Sequence, residues 1–186
     1  MTAKWRLLNP VVAAALAAVL AWPGSAQHAE REAELLAQLA DPDLPRWQRV
    51  ERELLGEWSK SGSASMDLLL QRGRDALQAG DTEAAIEHLT ALIDHAPAFA
   101  EGYNARATAY YQAGHFGPSM EDIARVLSLN PNHFAALSGL GLILEETGFH
   151  DRALEAFRAA HAIHPHQPGI RTSLERLERK VAGLEI

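Results

Sequence analysis

Along most of this chain the apolar residues return every three or four positions with polar residues between them, which is the spacing of one face of an α-helix. Trp47, Val50, Leu54 and Trp58 fall at steps of three, four and four. That predicts a helix from about Leu44 to Trp58 with a single buried stripe. Leu35, Leu36 and Leu39 mark a short helix before it, ended by Asp41-Pro42 because proline cannot continue the hydrogen-bond ladder. Towards the other end, Pro168 opens a segment with Ile170, Leu174, Leu177, Val181 and Leu184 on one side, and Glu175, Arg176, Glu178, Arg179 and Lys180 between them. No stretch carries a strand pattern, so an all-α fold is expected.

Between these flanks the pattern repeats. Pro97, Pro131 and Pro165 stand 34 residues apart, and so do Gly80, Gly114 and Gly148. With each proline at position 32 of a unit, the units begin at Met66, Ala100 and Phe134. Position 8 is then Gly73, Ala107 and Gly141, and position 20 is Ala85, Ser119 and Ala153. Small residues in both rows let two antiparallel helices approach closely. Position 24 is Leu89, Ile123 and Phe157, apolar each time and suited to filling the seam beside that contact. The glycines at position 15 suit a left-handed residue that ends a first helix, and the prolines close the second. Asp81 and Asp151 suit the start of a second helix, and Pro118 its first turn in the middle unit.

These residues resemble the tetratricopeptide repeat, a 34-residue helical hairpin with a Leu-Gly, Tyr, Ala, Phe and Pro pattern. The third unit matches best, with Leu137, Leu140-Gly141, Leu144, Ala153, Phe157, Ala160 and Pro165. The second has Tyr103, Ala107, Tyr110, Ser119, Ile123 and Pro131, and the first is looser, with Ala76 where a large residue is usual. Position 7 departs from the pattern as Arg72 and Arg106, and position 27 as Leu92 and Val126. The resemblance implies a right-handed α-solenoid of three hairpins, at 66–99, 100–133 and 134–167. Residues 27–65 then supply an N-terminal capping pair and linker, and 168–186 a C-terminal capping helix, since stacked hairpins need their end faces covered.

The first 26 residues read as an address. Lys4 and Arg6 precede an uncharged run from Val11 to Trp22, and Pro23-Gly24-Ser25-Ala26 offers small residues for cleavage after Ala26. Twelve apolar residues span about 18 Å as a helix, against roughly 30 Å of bilayer hydrocarbon. A cleaved export signal is therefore expected, placing the mature chain in the periplasm or outside the cell. The alternative is an uncleaved helix that anchors the chain in the membrane facing the periplasm.

Length and composition narrow the function. The chain has 186 residues, enough for one domain, with 47% hydrophobic and 22% charged residues, which fits a foldable protein. Its formal charge is −7, and loss of the first 26 residues, which hold two bases and no acid, takes it to −9. That sign disfavours nucleic acid, and anionic membranes after signal cleavage. The absence of cysteine removes disulfides, thiolate metal sites and thiol nucleophiles. His161, His164 and His166 invite a metal-carrier reading, but no carboxylate or cysteine stands at ligand spacing beside them, and histidines near a helix C-terminus complement its dipole. No cofactor is expected. No phosphate loop, Gly-x-Ser-x-Gly elbow or His-Glu-x-x-His helix appears, and the acidic pairs Glu121-Asp122 and Glu145-Glu146 read as solvated surface, so no enzyme is expected.

What remains is recognition of another protein or peptide segment, and the resemblance says where. Positions 2, 5, 9, 12 and 13 of each unit face the concave groove. The expected binding residues are Asp67, Leu70 and Arg74, then Glu101, Asn104, Thr108, Tyr111 and Gln112, then Ser138, Leu142 and Glu145, with Arg74, Asn104 and Tyr111 at the centre and free of packing duty. The carboxylate clamp of chaperone-binding members needs basic and amide residues where this chain has Leu70, Arg74, Ala105, Ala135 and Gly139. That ligand class is disfavoured.

Overall fold

The computed structural model describes residues 23–183, so residues 1–22 of the expected export signal, and Leu184, lie outside the described residues. Nine helices occur among those described: α1 Pro23–Leu39, α2 Trp47–Trp58, α3 Ala64–Gln78, α4 Thr82–His95, α5 Ala100–Gln112, α6 Phe116–Leu129, α7 Phe134–Glu146, α8 His150–Ile163 and α9 Pro168–Val181. Helices α3–α4, α5–α6 and α7–α8 pack as three antiparallel hairpins, with α3 beside α5 and α5 beside α7.

Each hairpin turns on a glycine in the left-handed region, Gly80 at φ 77°, Gly114 at φ 75° and Gly148 at φ 84°. At the middle turn the His115 amide donates to Tyr110 O at 2.8 Å and the Gly114 amide to Tyr111 O at 2.9 Å. This pair of bonds satisfies two carbonyls that the end of α5 would otherwise leave open. The Asp81 side chain accepts from the Ala84 amide at 3.0 Å and caps α4.

Close approach of the paired helices explains the small residues. A Cβ on Gly73 would lie 2.5 Å from Leu89 Cγ, and one on Gly141 would lie 2.7 Å from the Phe157 ring. Where the opposing residue is Ile123, branched at Cβ and not at Cγ as Leu89 is, position 8 carries Ala107, and Ser119 Oγ donates to the Ala107 carbonyl at 2.7 Å. Shape is therefore matched across the seam, hairpin by hairpin.

The flanking helices differ in part from expectation. Helix α9 buries Ile170, Leu174 and Leu177 against Phe157 and Ala160, but Val181 is 44% exposed. Three such side chains represent about 5–9 kcal/mol of transfer free energy before entropy, so α9 belongs to the folding unit. Helix α1 is long, 17 residues. The α1–α2 pair covers the array at the third hairpin: Leu35, Leu39, Val50 and Leu54 form one cluster with Phe134, joined by Trp47, Trp58, Ala135 and Ile163. The outer side of the first hairpin leaves Leu68 51% exposed. Asp122 also departs from the surface reading. It is 5% exposed and takes a two-pronged bond from Arg106 at 2.8 Å on each oxygen, which accounts for the arginine at position 7 of the middle unit, whereas Arg72 in the first unit is exposed. Arg106 also reaches Thr90 Oγ1 at 3.1 Å, tying α5 to both α4 and α6.

Candidate functional site

Helices α3, α5 and α7 present the positions expected to face the groove, and the α1–α2 pair divides that face into a covered part and an open part. Trp58 leads the covered part. Its ring stacks on His133 with centroids 4.6 Å apart and tilts against Phe134 at 5.4 Å. Its Nε1 donates to Glu32 at 2.6 Å, and Glu32 also accepts from Asn130 at 3.2 Å. At the other end of α2, Trp47 meets His164 edge-on at 5.3 Å and stacks on His166 at 5.8 Å. His164 Nε2 lies 3.2 Å from Glu51, which also accepts from Gln167 at 2.9 Å.

Beneath this cover lies a buried polar relay. The Ala136 amide donates to His133 Nδ1 at 3.2 Å, which leaves the ring proton on Nε2 to be donated to Glu101 at 3.0 Å. Arg74 donates to the other Glu101 oxygen at 2.5 Å and to Ser59 Oγ at 3.1 Å. Burial pushes the Glu101 carboxyl up, but the His133 bond and the Arg74 charge outweigh it and hold the group below the usual carboxylate range. Burial drives the His164 imidazole the other way, below its ordinary value, although Glu51 opposes the shift. Glu101, 6% exposed, is thus a structural anion rather than a groove wall.

The expected groove residues separate accordingly. Leu70 is 2% exposed and belongs to the core, while Asp67 is tied to the linker by the Ser61 amide at 2.8 Å and hydroxyl at 2.6 Å. Arg74 and Glu101 hold each other, and Glu145 is bonded through both oxygens to Arg176, at 2.8 and 2.6 Å. Asn104, Thr108, Tyr111, Gln112, Ser138 and Leu142 line an open groove of about 340 Å³ between α5 and α7, floored by Ala107, Ile123 and Ile143. Ala135 and Gln167, both in contact with the α1–α2 pair, line it as well. Two residues expected to be free have duties. Arg74 is engaged as described, and Tyr111 donates its hydroxyl to Glu146 and stacks on Phe116 at 5.8 Å. That bond, reinforced by burial, pushes the Tyr111 phenol up to about 12.

Sequence reasoning named Gly139 only as a position of the disfavoured carboxylate clamp, missed Gln167 in the lining, and missed His133 and Trp58 as the clasp. Their partners lie far along the chain, so no local spacing announces them. Among the described residues, no group of three or more His, Asp or Glu is placed to hold a metal ion, and no helix is long and apolar enough to cross a membrane.

Known proteins share this architecture. The family model described as Tetratricopeptide repeat matches residues 70–117 and 105–168. A TPR repeat-containing protein of Rhizobium etli is 34% identical over 157 residues, which cover 83% of this chain and 76% of that protein. Among solved structures, the first TPR of Spaghetti, bound to the HSP90 peptide SRMEEVD, superposes with a TM-score of 0.61 at 20% identity, covering 63% of this chain and 93% of that one. The second TPR domain of human RPAP3, in complex with the HSP70 peptide SGPTIEEVD, gives 0.55 at 23% identity over 58% and 90%. At these identities the structural likeness is one of fold.

Proposed function

The chain belongs to the tetratricopeptide repeat family, and from that premise we propose that it is an exported interaction module that holds a peptide segment of another protein in the open groove between α5 and α7. One observation carries the reading: six side chains from α5 and α7 converge on a concave space that the chain's own N-terminal helices leave uncovered. The module works by binding and not by catalysis, and its surroundings are the periplasm or the cell exterior. Support for export comes from the charged start, uncharged run and small-residue cleavage site before Gln27.

The test joins location and binding. The mass of the protein recovered from the cell envelope should correspond to a chain beginning at Gln27, whereas a full-length mass would make the chain a tethered adaptor. Affinity capture with the parent should then be compared with a triple variant carrying Asn104→Ala, Gln112→Ala and Leu142→Ala. The groove variant should keep its melting temperature and lose its partner, and a convex variant, Glu87→Ala with His88→Ala, should retain it. Full capture by the groove variant combined with loss by the convex one would move the working surface to the back of the array.

A further inference from the structure

We propose, resting on the groove reading above, that the segment held between α5 and α7 is uncharged and apolar, and that Gly139 is the position that admits its side chains. The lining contains no acidic or basic side chain. Its hydroxyls are turned away: Thr108 Oγ1 donates to the Asn104 carbonyl at 3.0 Å and Ser138 Oγ to the Phe134 carbonyl at 2.9 Å, so both residues offer carbon to the groove. Tyr111 is tied to Glu146 and offers its ring. Arg74 is already matched by Glu101 and Glu145 by Arg176, and Glu146, which holds the Tyr111 hydroxyl, adds an anion and no cation at the edge. Leu142 stands 37% exposed at the edge. A carboxylate entering this space would lose water and meet no cation, only the neutral amides of Asn104, Gln112 and Gln167, the first and last already turned to Glu101 and Glu51, so an acidic tail is a poor fit and an apolar stretch a good one.

Gly139 supplies the second, independent observation. It lies in the middle of α7, where glycine is a weak helix former, and its backbone does not need a left-handed residue. Gly73 and Gly141 are required by Leu89 and Phe157, but a Cβ on Gly139 would meet only Ile123 Cδ1, at 3.6 Å, an ordinary contact. Nothing inside the fold excludes a side chain there. What a larger side chain would remove is volume from the groove, which Gly139 lines. At about 340 Å³ that space lies near the lower end of the range for ligand cavities, enough for a few side chains and too small for a whole helix.

Fluorescence anisotropy with two labelled synthetic peptides tests the assignment. One probe carries a Leu-Trp-Leu centre in a neutral Ser-Gly frame with both ends blocked, and the other carries a free C-terminal Glu-Glu-Val-Asp in the same frame. The parent should bind the apolar probe at least tenfold more tightly than the acidic one. Gly139→Leu, which fills the groove, should weaken the apolar probe at least tenfold, and Leu142→Ser supplies a second groove variant should the first fail to fold. Glu87→Ala should change nothing. Equal or tighter binding of the acidic probe, or binding of neither, overturns the ligand class and leaves the groove reading standing. Undiminished binding of the apolar probe by both groove variants overturns the groove reading too. Self-association of the parent in sedimentation, abolished by Gly139→Leu, assigns the groove to a second copy of the chain and overturns the proposal.

Discussion

Gly139 and Gly141 stand two residues apart on one helix, and alanine at the two positions should change stability in opposite directions. Both substitutions gain about 0.8–1 kcal/mol of helix propensity. At position 139 little opposes the gain, because the new methyl rests 3.6 Å from Ile123 Cδ1. At position 141 the methyl would lie 2.7, 2.8 and 2.9 Å from three atoms of the Phe157 ring. That ring is 1% exposed and cannot swing aside, so an overpacking cost of about 1–3 kcal/mol applies. The balance is a stabilisation of about 1 kcal/mol for Gly139→Ala and a destabilisation of about 1 kcal/mol for Gly141→Ala. For a domain of this size each should move the melting temperature by about 2–4 °C, in opposite senses. Thermal unfolding followed by circular dichroism resolves that gap. A double-mutant cycle locates its cause: adding Phe157→Ile to Gly141→Ala recreates the Ala107–Ile123 pairing of the middle hairpin, so the two changes together should cost less than the sum of their separate costs. If Gly141→Ala melts at or above the parent, the close helix approach is not what requires glycine at position 8.

Two further outcomes follow from the turns and from the clasp. Gly114 has φ 75° and open space, with nothing within 4 Å, where a Cβ would stand, so Gly114→Val should cost about 1–2 kcal/mol from backbone strain alone, while Gly114→Asn recovers most of it; equal melting of the valine variant and the parent refutes the phase of the repeats. Burial holds the folded His164 imidazole below its ordinary 6.5, with His166 and His161 lowering it further and Glu51 opposing. The unfolded chain therefore binds the proton first as the pH falls, and this contribution to stability, intact above about 6.5, is lost between there and the lower folded value. His164→Gln, which keeps a donor for Glu51 but does not titrate, should flatten the fall in melting temperature below pH 6.5, and an unchanged slope assigns that fall to other groups.

Much of the fold was legible because the residues that cause it act on their immediate neighbours. A hairpin turn is built by the glycine that occupies it, so the 34-residue spacing of Gly80, Gly114 and Gly148 reports three turns directly. The seam was legible for a related reason: Gly faces Leu89 and Phe157, and Ala107 faces Ile123, so the chain displays a small residue opposite a large apolar one three times. The Arg106–Asp122 pair was also written there, though adjacency with Glu121 hid it. The two occupy positions 7 and 23 of one unit, and where position 7 is Leu140, position 23 is Ala156, although the first unit sets Arg72 with His88 and so shows no acid there. The docking of α1 and α2 had no such local cause. Trp58 reads as a helix-face aromatic in any arrangement, and only the fold brings it onto His133, just as only the fold brings Glu51 to His164. This is why the groove was only partly readable. Helical phase assigns Arg74 and Asn104 to the same face, and nothing in the phase says what else arrives there. Arg74 receives Ser59, from the linker after α2, together with Glu101, and is committed to holding them. Asn104, on the next first helix, makes only long bonds of 3.3 and 3.4 Å to Glu101 and still lines open space. The difference between an arginine committed to the fold and an asparagine left on open space lies in the position of α2, a tertiary fact that the repeat period does not contain.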